Sequence, residues 1–495
     1  MKTKIFSFIL TCLFATGIQA QIDRSVMPEP GPAPKINLED PETSDLDNGM
    51  ELLVVENHKL PKVTARLVID NVPVKEEKPG TAALLSAMLG TGTENISKDA
   101  YNEEIDFMGA SVSFGSQSAY ASSLTKFFPR VFELMAKGAL KPKFTQQEFE
   151  DQKNQLLESL KFSEKDVAAI ASRMSNVLAY GIDHPYGQFA TPESVESITL
   201  ADVQKYYDTY FVPENAYMVV VGDIDDDKVQ DLVEKYFEDW KAAAPPAAEL
   251  PKVTPVTKTQ INFVDMPNAV QSELRVQNLV DIEKSDEDYF PLLVANQILG
   301  GSFGSYLNMN LREEHGFTYG ARSGFGTDEY GAAKFVASSS VRNAVTDSAV
   351  VETVKEINRI RTEKVAEEDL QLAKSKFAGN FVMALERPST IADYALNIRT
   401  ENLDDDFYEN YLKSIEAVTP EDVQRVANKY FNTNQMRVIV VGKGSDVADN
   451  LEEMKLLGKD VDVVYFDKLG KKVEKPEFNK EVDPSVTAEV VFDKY

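Results

Sequence analysis

"ITLADVQKYYDTYFVPENAYMVVVGDID" (residues 198–225) aligns without a gap on "VTPEDVQRVANKYFNTNQMRVIVVGKGS" (residues 418–445), at an offset of 220. Asp202/Asp422, Val203/Val423, Gln204/Gln424, Tyr210/Tyr430, Phe211/Phe431, Val220/Val440 and Gly222/Gly442 are identical pairs. Each copy reads as a helix capped by Thr199 or Thr419, with Asp202 or Asp422 three residues on, followed by a β-rich apolar strand. Chance does not produce identity over side chains this different, so the chain contains two homologous halves.

Upstream of the repeated unit, "LLSAMLGTGT" (84–93) echoes "LVANQILGGS" (293–302). "VVENHKLPKVTARLVI" (54–69) matches "FVDMPNAVQSELRV" (263–276) in its strand, turn, strand order. Between the halves, "KAAAPPAAELPKVTPVTK" (241–258) is rich in Ala and Pro without helical periodicity, a semi-stiff linker. The expected organisation is a first domain over 46–240, the linker over 241–258 and a second domain over 259–458. A Pro-rich arm over 21–45 precedes them and an extension over 459–495 follows. "ASVSFGSQSAYASSLTKFF" (110–128) alternates like a half-buried strand pair, and "TQQEFEDQKNQLLESLKFSEKDVAAIASRMSNVLAYG" (145–181) has apolar residues at helical spacing. The elements do not form a regular βαβα series, which favours an α+β arrangement of sheet and helix layers over a doubly wound sheet.

The first twenty residues, "MKTKIFSFILTCLFATGIQA", place Lys2 and Lys4 before an apolar run and end in small and polar residues, the order of a secretory signal peptide. The apolar core is too short to span a bilayer, and no later segment approaches a membrane helix. The expectation is an exported, periplasmic protein with no integral membrane segment in the mature chain. Cys12, the only cysteine, lies in this leader, which excludes a disulfide framework, a thiolate metal site and a cysteine nucleophile from the mature chain. The net charge of −28 argues against nucleic acid as a partner, because phosphate binding needs basic patches.

Candidate chemistry is sparse. The three histidines, His58, His184 and His315, are far apart, and no H-x-x-E-H or H-E-x-x-H pair exists to place two imidazoles on one helix. Only a site assembled from distant residues remains open. "DIDDDKVQDLVE" (223–234) has the acids of a calcium loop, but Lys228 stands where that loop needs glycine. Acidic residues at a helix N-terminus explain it better. "GGSFG" (300–304) satisfies G-x-S-x-G, yet "PLLVANQIL" before it is helical where a nucleophile elbow needs a strand. Gly300, Gly301, Ser302 and Gly304 read instead as a flexible loop whose backbone can approach a ligand. Arg312 and Tyr319 follow it, on a helix end with a Gly stop and on the strand after it. Arginine grips carbonyls and carboxylates, and a tyrosine hydroxyl donates to a developing oxyanion; a surface ion pair and a buried aromatic are the plainer alternative. Finally, "GTAALLSAMLGTGT" (80–93) reads as a buried helix whose i, i+3, i+4 face carries only Ala83, Ser86 and Ala87.

"NGMELLVVENHKLP", "MLGTGT", "IDFMGASVSF", "YFVPENAYMVVVGDI" and "LGGSFGSYLNMNLREEHGFTYG" together resemble the M16 metallopeptidases, in their shorter two-domain bacterial form, from about Asn48 to about Gly442. The resemblance implies two tandem M16-type (LuxS/MPP-like) domains. It also implies that the first helix should carry an inverted H-x-x-E-H zinc motif, whose two His hold the metal and whose Glu is the general base. Here those places fall on Ala83, Ser86 and Ala87, and the downstream third ligand falls on Ser159, so no catalytic or metal-binding residue is expected in this chain. Glu158 is adjacent, but one step on a helix turns a side chain about 100° away. The family's substrate-contacting Arg and Tyr, seven residues apart, are matched by Arg312 and Tyr319. The implied role is a non-catalytic subunit that binds a peptide substrate and supplies this pair to an H-x-x-E-H-bearing homologue, with zinc in that partner. The alternative is a zinc-free peptide-binding or scaffold protein without a catalytic partner.

Overall fold

Five strands recur in the same order in both halves. The computed structural model describes residues 41–478, all within one compact unit. The leader expected over 1–20, most of the arm over 21–45 and the end of the C-terminal extension lie outside the described residues. The first sheet contains β1 (Glu42–Asp45), β2 (Glu51–Glu56), β3 (Lys62–Ile69), β4 (Ser111–Gly115), β5 (Ser118–Leu124) and β6 (Ala216–Gly222), in the order β1-β2-β6-β3-β5-β4. The second contains β7 (Gln260–Asp265), β8 (Gln271–Val280), β9 (Ala321–Phe325), β10 (Ala333–Arg342), β11 (Arg437–Gly442), β14 (Val463–Phe466) and β15 (Lys472–Val473), in the order β15-β14-β7-β11-β8-β10-β9. A separate two-residue pair, β12 (Lys455–Leu456) with β13 (Lys459–Asp460), precedes β14. In each sheet the strand of the repeated segment, β6 or β11, lies centrally, parallel to β2 or β7 and antiparallel to β3 or β8.

Two sheet edges extend beyond the expected domain limits. Glu42–Asp45, in the region read as an arm, pairs with β2. The stretch after 458 adds β14 parallel to β7, with β15 beyond it, so the second sheet runs into the segment read as an extension. Both additions cover an edge that would otherwise expose unpaired backbone. Residues 241–258 hold no helix or strand.

Seven of the helices shape the candidate site and the junction between the halves. In the first half these are α1 (Thr81–Met88), α2 (Gln146–Ser163), α3 (Val167–Tyr180) and α4 (Leu200–Tyr210). In the second they are α5 (Tyr289–Leu299), α6 (Pro388–Thr400) and α7 (Pro420–Tyr430). The repeated helices α4 and α7 both carry the capping box read from sequence, Thr199 with Asp202 and Thr419 with Asp422. Each sheet buries one face under its own half's helices. Along β6 and β11 the apolar run is continuous because the opposite face is covered too. Met218 and Val220 face the first core, while Val219 and Val221, with Leu53 and Val55, pack against Ala392, Ala395 and Leu396 of α6. Reciprocally, Val438 and Val440 face the second core, while Ile439 and Val441 pack against Ile170, Ala171, Met174 and Leu178 of α3. Each half therefore lends one helix to the back of the other's sheet. Fully burying one such aliphatic side chain contributes about 1.5–3 kcal/mol, so the exchange holds the halves together.

Candidate functional site

The α1 helix is amphipathic rather than wholly buried. Thr81, Leu84, Leu85 and Met88 face the core, whereas Ala83 and Ala87 are exposed and Ser86 is half-buried. The small-residue face therefore looks outward, beside α2, against which α1 packs. The Gly80 N-cap provides no side chain, so Glu76 takes the role: its carboxylate accepts from the Gly80 and Ala82 N–H groups at 3.0 and 3.1 Å. Burial pushes Glu76 above the usual carboxylate range, against these backbone hydrogen bonds.

The side chains at this place do not fit a zinc ion. Ala83 and Ala87 present methyl groups, and the Ser86 hydroxyl donates to the Ala82 carbonyl of its own helix at 2.9 Å. Ser159 is exposed on α2 and lines an open recess with Asn154, Glu158 and Phe162. Glu158 is engaged with Lys161 at 2.6 Å. Among the described residues no three His, Cys, Asp or Glu side chains converge on α1 and α2. Zinc needs nitrogen, thiolate or carboxylate ligands, and none of the four positions supplies one.

The second half carries a built constellation. After α5 comes the Gly300–Gly304 loop, then a short helix, Tyr306–Asn308, that widens into a π-turn over Met309–Glu314. Such π-turns often mark functional positions. Arg312 lies on this turn. Its Nε is 3.1 Å from Glu313 Oε1, and its guanidinium stacks 4.7 Å from the Phe303 ring of the glycine loop. The other guanidinium N–H groups have no hydrogen-bond partner among the described residues, so they can grip an oxygen of a ligand. Tyr319 lies not on β9 but in the segment before it, and it is 90% exposed. Its neighbours are pinned: the Thr318 hydroxyl donates to Ser340 O at 2.8 Å, and the Ser339 hydroxyl donates to Gly320 O at 3.1 Å. A rigid backbone with a free phenol at its apex is suited to donating a hydrogen bond.

Residues that the sequence reading missed hold this arrangement. Asn308 is fully buried; its Nδ2 donates to Phe303 O at 2.7 Å and its Oδ1 accepts from Ala321 N at 3.2 Å. One side chain thus ties the glycine loop to the strand after Tyr319. Asn310 donates to both Glu352 and Glu356 at 2.9 Å, anchoring the π-turn from beneath. Burial opposes the charge of Glu352, but Asn310 and the Lys355 ammonium hold it below the usual carboxylate range. Two asparagines at positions facing the core within "YLNMNLREE" are the signal that could have exposed them, since buried amides seek partners; both Nδ2 groups are paired here, while Asn310 Oδ1 has no partner among the described residues.

The glycine loop is less free than its composition implies. A Cβ on Gly300 would lie 2.3 Å from Ser323 N, because Gly300 O accepts from that same N–H at 3.1 Å. The close approach is to the chain's own β9. The Asn296 amide reinforces it, donating to Ser323 O at 3.3 Å. Gly301 crowds its own helix end at Gln297, Ser302 is half-buried, and only Gly304 has open space around it. Ser302 follows a helix, so no nucleophile elbow forms.

Comparison with known proteins agrees with the fold. A family model described as insulinase (peptidase family M16) matches residues 52–184, and one described as peptidase M16 inactive domain matches residues 197–377. The chain is 23% identical over 412 residues to the uncharacterized zinc protease YmxG of Bacillus subtilis, covering 80% of this chain and 97% of that one. It is 23% identical over 421 residues to the zinc protease PqqE of Helicobacter pylori, covering 80% and 92%. In fold it is similar to the crystal structure of a peptidase M16 inactive domain from Pseudomonas fluorescens, with a TM-score of 0.74, 24% identity, and coverage of 82% and 98%. With two M16 models matching successive parts of one chain, and the α+β fold of M16 structures, this chain belongs to the peptidase M16 family.

Proposed function

We propose that this chain is the non-catalytic subunit of an exported, periplasmic heterodimeric M16 peptidase. It binds peptide and presents Arg312 and Tyr319 to the substrate backbone, while an H-x-x-E-H-bearing homologue brings the zinc and the general base. The observation that carries this reading is the contrast within one chain. The face of α1 is stripped of every ligating side chain, whereas Arg312 and Tyr319 stand on a segment fixed by buried hydrogen bonds.

A second reading, a zinc-free peptide-binding or scaffold protein, draws on β4. Among the described residues the outer edge of this strand has no backbone partner, and an extended peptide can add there without a second chain. Mixing separates the two. The purified full chain is expected to cleave no unstructured peptide alone, and to do so once combined with an H-x-x-E-H-bearing M16 homologue. Arg312→Ala and Tyr319→Phe should each lower that joint activity by about 10²–10³-fold. A wild-type rate from the doubly substituted complex overturns the assignment. Peptide binding by the lone chain, with no activity in any mixture, establishes the scaffold.

A further inference from the structure

Glu56, His58 and Asp225 come from three places in the chain: the end of β2, the turn after it, and the segment following β6. Their ligand atoms lie within 4.8 Å of one another. We infer that these three side chains form a surface site for a divalent transition-metal ion of the zinc class, separate from the positions the M16 family uses and independent of the proposed function.

Four observations carry it. First, the histidine is oriented as metal-bound imidazoles are. His58 Nδ1 is 2.7 Å from Asp223 Oδ1, and Asp223 Oδ2 in turn accepts from the Thr125 hydroxyl at 3.0 Å. A carboxylate holding one ring nitrogen fixes the tautomer and leaves Nε2 as the ligand. Nε2 faces Glu56 Oε2 at 3.5 Å. Second, each carboxylate has one oxygen held by the protein, Glu56 Oε1 by the Asp226 N–H at 2.6 Å and Asp225 Oδ2 by Lys228 at 2.5 Å. The second oxygen of each remains for a cation. Third, the frame is rigid. Asn57 N donates to Gly222 O at 2.8 Å and Asp223 N to Lys62 O at 3.1 Å, which clasps the histidine-bearing turn to the end of β6. Fourth, the acids of the calcium-loop-like run are redirected: Asp223 and Asp225 meet a histidine instead of wrapping a loop. One imidazole with two carboxylates suits Zn²⁺, whereas Ca²⁺ takes oxygen ligands throughout.

Proton and cation compete for an imidazole nitrogen, which gives the test its second readout. The chelator-treated full chain is titrated with Zn²⁺ and, separately, Ca²⁺ by calorimetry in buffers of different ionisation enthalpy. Saturable uptake of about one Zn²⁺ per chain, with proton release near neutral pH, is expected. His58→Gln should abolish it, and Asp223→Asn should weaken it about 10–100-fold. Both variants should keep the wild-type unfolding temperature in chelator, since these side chains are at the surface. His315→Gln is the control expected to bind as wild type. Zn²⁺ binding that survives His58→Gln, preference for Ca²⁺, or no saturable uptake overturns the site.

Discussion

The two halves share a strand order and a capped helix–strand unit, yet they treat the edge beside their first helix in opposite ways. In the first half, α1 shows an exposed face of Ala83, Ser86 and Ala87, and the outer edge of β4 is unpaired among the described residues. In the second, the end of α5 closes onto β9 through Gly300 and Asn296, and the following segment carries Arg312 and Tyr319. The first half is open at this edge and offers no ligating side chain on α1, whereas the second closes its edge and presents an arginine and a tyrosine to solvent. The apolar positions of α1 pack into the core while its solvent face carries only small side chains.

The sharpest test of the repeat is its shared glycine. Gly222 has φ +138°, and a Cβ there would lie 2.1 Å from the Lys62 carbonyl oxygen. Its counterpart Gly442 would meet Ser272, whose side chain is held by Asn343 and Thr346, with Oγ at 2.3 Å and Cβ at 3.0 Å but main chain no nearer than 3.4 Å. Gly222→Ala combines backbone strain with a clash against main chain and should cost about 3–5 kcal/mol. Gly442→Ala should cost about 1–2 kcal/mol, since a hydroxyl can shift. Denaturant unfolding of both variants measures the difference; equal costs mean that the two turns are equivalent after all.

Next in size is activity in the proposed heterodimer. Arg312→Ala should raise the barrier by about 2.7–4 kcal/mol, the size of a lost oxyanion donor, whereas Ser159→Ala should leave the rate unchanged. Steady-state kinetics on that complex tests the asymmetry, and a large loss from Ser159→Ala shows that α2 takes part in the reaction after all.

How far the sequence reveals this molecule depends on how local each signal is. The capping boxes and the strands after them are legible because a cap and an apolar run lie within one window. The emptied α1 face is legible too, though not its exposure, which depends on what packs beside it. The recruitment of Glu42–Asp45 and Val463–Phe466 to sheet edges is not, since a short strand is defined only by the edge that receives it. Gly300 illustrates a subtler gap: composition announces close approach, but only the fold shows that the approach is to Ser323 of the same chain. Asn308 and the convergence on His58 depend on contacts between segments distant in sequence, which no local pattern encodes.

The exchanged helices offer a further comparison. Ile170 on α3 is fully buried against the second sheet, while Leu396 on α6 retains slight exposure against the first. Ile170→Ala should cost about 3–4 kcal/mol and Leu396→Ala about 2–3 kcal/mol. Thermal unfolding should remain a single transition if the exchange couples the halves. Two separated transitions in either variant show that each half unfolds independently.

The rims of these two junctions differ in charge, and this gives the smallest effect. The α6 junction is flanked by the pairs Arg66–Asp393 at 2.7 Å and Arg399–Glu51 at 3.0 Å. At the α3 junction, Lys334 of β10 donates to Ser175 and Asn176 with no carboxylate partner among the described residues. Burial, with a smaller contribution from Arg275, pushes its ammonium down to about 8, from an ordinary 10.5. Between these two values the unfolded chain binds a proton that the folded chain has released, so stability rises with pH across that window. Below it both states are protonated, and the folded state bears the cost of a poorly solvated charge. Relative to Lys334→Met, the wild-type protein should gain about 1–2 kcal/mol between pH 7 and pH 10, allowing for residual solvent access. Taking the difference between the two proteins removes the tyrosines that titrate at higher pH. A pH-independent difference means that water reaches the ammonium at the α3 junction, and that the two rims bear charge equally well.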